Sequence, residues 1–179
     1  MAKFSITNST NYAAQPATTT TYTPLVVVAA SSGSMVSPPT ITGLRRGKVY
    51  DILLGTNGTP ADNALEFIVQ RATVGSSTVW VGSVSSVSSQ FALDPADAGF
   101  ASFVTINATA TSSTLFTLQQ PLWYDGVNQR ASYRWVCAPG SEMVIPAVSS
   151  GTGSNGLVFG VRSVGYSGTV TMTVWYEEQ

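Results

Sequence analysis

The chain has 179 residues, of which 44% are apolar and only 9% charged, with a formal net charge of −1; a typical soluble domain is about 25% charged. That length is enough for one domain with a two-sheet core and no disulfide or metal staple. Eight basic and nine acidic residues, with no run of either sign, leave no basic stripe to neutralise phosphates, so a nucleic-acid binder is not expected. Hydroxyls take the place of charge, with 23 Ser and 22 Thr.

Taken in chain order, strand signals dominate: short β-branched and aromatic runs bounded by Gly, Pro, Asn or Ser. "FSIT" (4–7) reads as a strand. "NSTNYAAQPATTTT" (8–21) has no apolar rhythm and reads as an extended arm, so 1–21 form an N-terminal strand and arm and 22–179 a single domain. "YTPLVVVA" (22–29) is the next strand. Its apolar run is too short to cross a membrane or to serve as a signal-peptide core, which predicts cytoplasmic synthesis and no membrane partner. "SSGSMVSPPT" (31–40) is a loop, and "LRRGK" (44–48) places three cations beside a turn, as a solvated loop or protein contact. Further strands are expected at 49–55, 65–72, 78–84, 101–107 and 114–118. Between them, Asp94 and Pro95 suit the cap and first position of one helical turn. "PLWYDG" (121–126) puts Trp123 and Tyr124 before a turn at Asp125–Gly126. Strands follow at 131–138, 142–146, 156–163 and 168–177, with 148–156 a loop. No stretch holds a helical period of about 3.6 residues, and many short strands mean an antiparallel β-sandwich or barrel.

The chemistry-bearing residues are few. With no histidine, Ser–His–Asp and Cys–His nucleophilic sites have no base. One cysteine cannot build a zinc site. No catalytic residue, cofactor or metal is therefore expected. Asp94/Asp97 is the nearest thing to a glycosidase dyad, and its turn explains it better. "GTGSNG" (151–156) lacks the lysine of a phosphate cradle and reads as a hairpin loop. In "YRWVCAPGSEMVIP" (133–146), strand alternation puts Tyr133, Trp135 and Cys137 on one face and Arg134 and Val136 on the other. Cys137 is thereby expected to be a small apolar residue and not a nucleophile. In the last strand Val170, Met172, Val174 and Tyr176 form a core face, which leaves Trp175 at the end of a Thr-lined face.

Four segments, "GTPADNALEFIVQRAT" (58–73), "ALDPADAG" (92–99), "NQRASYRWVCAPGSEMVIPA" (128–147) and "SNGLVFGVRSVGYSGTVTMTVWYEE" (154–178), resemble the head decoration, or cement, proteins of tailed bacteriophages. The resemblance spans most of 45–178. It implies a jelly-roll β-sandwich, a homotrimer on the outer surface of the phage head, and the major capsid protein as partner. On that reading Phe4, Ile6, Tyr12 and Tyr22 of the N-terminal region are expected to contact the capsid or a neighbour, and Arg130, Arg134 and Trp175 to form the subunit interface. The competing expectation is a carbohydrate- or receptor-binding module of a phage fibre or spike, with Trp80, Trp123 and Tyr124 stacking on host-surface glycan.

Overall fold

The computed structural model describes residues 3–7, 22–30, 46–59, 61–75, 90–96, 117–145, 153–163 and 167–178. These residues form ten strands and no helix: β1 (Lys3–Thr7), β2 (Thr23–Ala30), β3 (Gly47–Thr59), β4 (Ala64–Gly75), β5 (Gln90–Ala92), β6 (Thr117–Asn128), β7 (Tyr133–Val136), β8 (Met143–Ile145), β9 (Gly153–Ser163) and β10 (Ser167–Glu178). Every described pairing is antiparallel. One sheet, sheet A, runs β5-β1-β10-β3-β7 with β8 also on β3; the other, sheet B, runs β2-β9-β4-β6. Setting β5 aside, the pairs nest: β1 with β10, β2 with β9, β3 with β7 and β8, β4 with β6. A chain folded back on itself and rolled into two sheets has this order, which is that of a jelly roll.

Alternation decides which face of each strand is buried. Val170, Met172, Val174 and Tyr176 on β10 point into the core, as do Phe4 and Ile6 on β1, Leu65, Phe67 and Val69 on β4, and Leu157, Phe159 and Val161 on β9. All belong to one hydrophobic cluster shared by the two sheets. Phe4 sits directly opposite Tyr176, and their rings stack with centroids 5.7 Å apart. Among the described residues sheet B's two outermost strands each carry a proline, Pro24 in β2 and Pro121 in β6, both at irregularities of their ladders, where a residue without an N–H is tolerated. Between β7 and β8, Ser141 N–H donates to Ala138 O at 2.9 Å around Pro139 and Gly140, whose φ of 84° is the third-position requirement of a type II turn.

One irregularity positions the surface chemistry. β10 steps from Trp175, opposite Asp51, to Tyr176, opposite Val49, so Tyr50 is the extra residue of a bulge in β3. On the other side of β3, β7 ends opposite Asp51 and β8 begins opposite Val49. The Tyr50 carbonyl between them accepts the Cys137 N–H at 3.0 Å.

Several sequence expectations need correction. β1 pairs with both β10 and β5 and contributes to the core, so it is part of the sandwich and not of a detachable arm; residues 8–21 lie outside the described residues. No turn forms at Asp125–Gly126: β6 continues through Asn128, with Asp125 opposite Phe67 and Gly126 opposite Glu66. The chain turns after it, at Gln129–Arg130. The last four residues of "GTGSNG", Gly153–Gly156, are strand, paired with β4, because backbone ladder bonds do not depend on side-chain character. The expected strands at 78–84 and 101–107 lie outside the described residues.

Candidate interaction surfaces

Two places on the described surface collect polar and aromatic side chains, and a third polar site lies beneath it. The first is the outer face of sheet A at the bulge. Asp51 is 6% exposed, and Arg134 reaches it from β7, with Nε 3.0 Å from Oδ1 and a second bond from Nη2 to Oδ2. A fork of this kind is the strongest way to compensate a desolvated carboxylate, and it raises the Arg134 pKa further. The guanidinium carbon also lies over the Trp175 ring at 5.8 Å. Two exposed apolar side chains flank this pair, Leu53, opposite Arg134, and Val136, opposite Asp51, 39% and 59% exposed, while Thr173 opposite Leu53 and Ser5 opposite Trp175 continue the face as polar residues. Beside it Lys3 Nζ lies 5.5 Å over the Tyr50 ring. Burial, then the Asp51 charge, pushes the Tyr50 phenol up.

The second place crosses the outer face of sheet B. Register sets Glu66 of β4 opposite Arg162 of β9, and they form an ion pair with both side chains 32% exposed. Tyr22, just before β2, lies under the Arg162 guanidinium, 4.8 Å from the ring centre. Opposite Glu66 on β6 stands Gly126, without a side chain. Tyr124, two residues earlier on the same face, places its hydroxyl where it interacts electrostatically with Tyr22, Glu66 and Arg162. The Arg162 hydrogen bond holds the Glu66 carboxyl below the usual carboxylate range. Burial pushes the Tyr22 phenol up, with Arg162 opposing.

The third place is buried. Gln129, fully enclosed, fastens the turn after β6 to the β3–β4 connection: its N–H donates to Asn63 O at 2.9 Å and its Oε1 accepts the Ala61 N–H at 2.9 Å. Its Nε2 has no hydrogen-bond partner among the described residues. Among the described residues no group of three His, Cys, Asp or Glu is placed to hold a metal ion, and no helix is long and apolar enough to cross a membrane.

The residues singled out from sequence separate cleanly. Arg134 and Trp175 come together, on β7 and β10, with Asp51 between them. Arg130 instead pairs with Asp62 at 3.1 Å, both ends well exposed. Phe4 and Ile6, expected to touch a capsid or neighbour, are each 1% exposed in this chain's own core. Tyr22 belongs to the sheet B row, and Tyr12 lies outside the described residues. Of the three aromatics expected to stack on sugar, Tyr124 is on the surface, while Trp123 faces inward and stacks on Tyr133 at 6.0 Å; Trp80 lies outside the described residues. Tyr133, Trp135 and Cys137 do share a face, half-buried, with Arg134 and Val136 opposite. Asp94 Oδ1 accepts the Ala96 N–H at 2.9 Å, which ties it into a turn. Asp51, Glu66 and Arg162 were not singled out from sequence; each is a charge set next to large apolar residues, in "VYDIL", "ALEFI" and "VFGVRS", which was the available clue.

No family model, curated protein or solved structure matches this chain.

Proposed function

We propose that this is a structural virion protein: a decoration protein that binds the outside of a tailed-phage head and reinforces contacts between capsid subunits. On this reading it works by contact and not by catalysis, as a homotrimer made in the host cytoplasm, with the major capsid protein as partner. The observation that carries the reading is the sheet A patch, where Leu53 and Val136 stand exposed around an Arg134 guanidinium held rigid by Asp51 and Trp175. Arginine and tryptophan beside exposed apolar side chains are the anchors on which protein contacts concentrate. Two of the segments that resemble decoration proteins build it, 128–147 with Arg134 and Val136 and 154–178 with Trp175. Three such patches in a trimer would hold a lattice firmly even if each alone were weak.

The test is co-sedimentation of purified protein with heads that lack their decoration, alongside native mass across a concentration series. Wild-type protein should saturate the heads, and Val136→Asp, a change at an exposed edge position, should abolish binding while the fold is kept. Wild-type protein that never binds heads sinks the reading. Full decoration by Val136→Asp removes the patch from it.

A further inference from the structure

The outer face of sheet B holds a built polar row whose most exposed member is an aromatic ring. Tyr124 is 53% exposed and stands two residues from Gly126, which lies opposite Glu66, so its ring shares a face with the Glu66–Arg162 ion pair. At that exposure Tyr124 presents ring surface to solvent beside the ion pair. Next to it, Glu66 and Arg162 are locked by their ion pair yet remain one-third exposed. A carboxylate has about four acceptor sites and a guanidinium five donors, and the pair uses only part of them. The vacancy at Gly126 leaves the place beside Glu66 on β6 without a side chain.

We propose that this row is a saccharide-binding subsite, in which the Tyr124 ring stacks on the apolar face of a pyranose while Glu66 and Arg162 hydrogen-bond its hydroxyls. A sugar needs a flat apolar surface beside fixed donors and acceptors, and the row sets an aromatic ring beside an ion pair on one face of sheet B. One anion and one cation make the row neutral, which suits an uncharged sugar and selects against a phosphate or a polyamine. Tyr22 acts as a positioning residue through its contact with Arg162. The groups are ordered before the ligand arrives, so little side-chain entropy is lost on binding. The subsite shares no residue with the sheet A patch and does not depend on it.

The experiment is an amide-resolved NMR titration of the full chain with three probes: methyl β-glucoside, methyl β-galactoside and N-acetylglucosamine. At least one should give saturable shifts centred on Glu66, Tyr124, Gly126 and Arg162. Tyr124→Ala should weaken that binding by at least about tenfold, and Tyr124→Phe, which keeps the ring, by less. Val136→Asp should bind the same sugar unchanged, which separates this site from the capsid reading. Absence of saturable shifts with all three probes overturns the proposal, as does undiminished binding by Tyr124→Ala. Shifts at the same residues that appear on concentrating the protein without sugar also overturn it, by making this face a contact between copies.

Discussion

The outer faces of the two sheets use the same ingredients, an arginine, a carboxylate and aromatic rings, to make different objects. In sheet A the Tyr50 bulge displaces the ladder, and Asp51 ends up buried under an Arg134 that stays largely exposed. In sheet B the β4–β9 ladder has no break, so Glu66 and Arg162 stand side by side and share exposure equally. A bulge thus turns a surface ion pair into a buried carboxylate with an exposed clamp. The first arrangement suits a rigid protein contact; the second leaves hydrogen-bonding capacity free for a small polar ligand.

The largest expected effect tests what sheet A is built on. Phe4→Ala removes a fully buried ring from β1 and its stack on Tyr176, and should destabilise the protein by about 3–5 kcal/mol in urea unfolding. A loss below about 1 kcal/mol, within the ordinary range of surface changes, would mean that β1 is dispensable. Next in size is the contrast between the two arginines. Arg134→Ala leaves the Asp51 carboxylate buried without its partner, whereas Arg162→Ala leaves a Glu66 that can still reach water. Arg134→Ala should therefore cost clearly more stability, and adding Asp51→Asn should restore part of it. Equal losses would erase the distinction between the faces. Raised salt should likewise weaken the sheet B pair more than the sheet A pair.

A smaller effect is expected from acid. The Glu66 pKa is lowered in the folded protein, chiefly by the Arg162 hydrogen bond. Its contribution is therefore fully present above the unfolded value, about 4.3, and is lost as pH falls through the folded value. Stability curves of wild type and Glu66→Gln should converge in acid and part near neutrality. Parallel curves throughout would show that the ion pair is idle.

How much of this was legible in the sequence follows from the distance over which each feature is decided. The period-two pattern of β10 is local, so its core face and the outward Trp175 could be read from the order of Val, Thr, Met and Trp alone. The face of Cys137 was readable for the same reason. "DG" at 125–126 misled because a turn dipeptide is only a propensity, and ladder bonds to β4 on one side of β6 override it. Glycines at 153 and 156 misled in the same way. The bulge at Tyr50 depends on β3, β10, β7 and β8 together, and no local pattern announces it. The sheet B row needs the register of four strands, including the empty place at Gly126. Neither face could be assembled from spacing, although Arg134 and Trp175 were singled out separately.

The smallest predicted effect concerns the bulge itself, read through Cys137. Burial pushes its thiol up, the Glu142 charge next and Asp51 and Glu177 less, while a backbone hydrogen bond opposes them. Glu142 is held in place by the Gly140 N–H at 3.1 Å and by Lys48 at 4.0 Å, so its charge is fixed near the thiol. Alkylation by iodoacetamide should accelerate with pH around a midpoint above the ordinary cysteine value of about 8.5. Glu142→Gln should lower that midpoint slightly, and urea should return it to the ordinary value. If Glu142→Gln changes nothing while urea does, the turn at Pro139–Gly140 acts only as a lid over the thiol. If neither moves it, Cys137 is open to solvent, and the half-buried face it shares with Tyr133 and Trp135 does not extend past the end of β7.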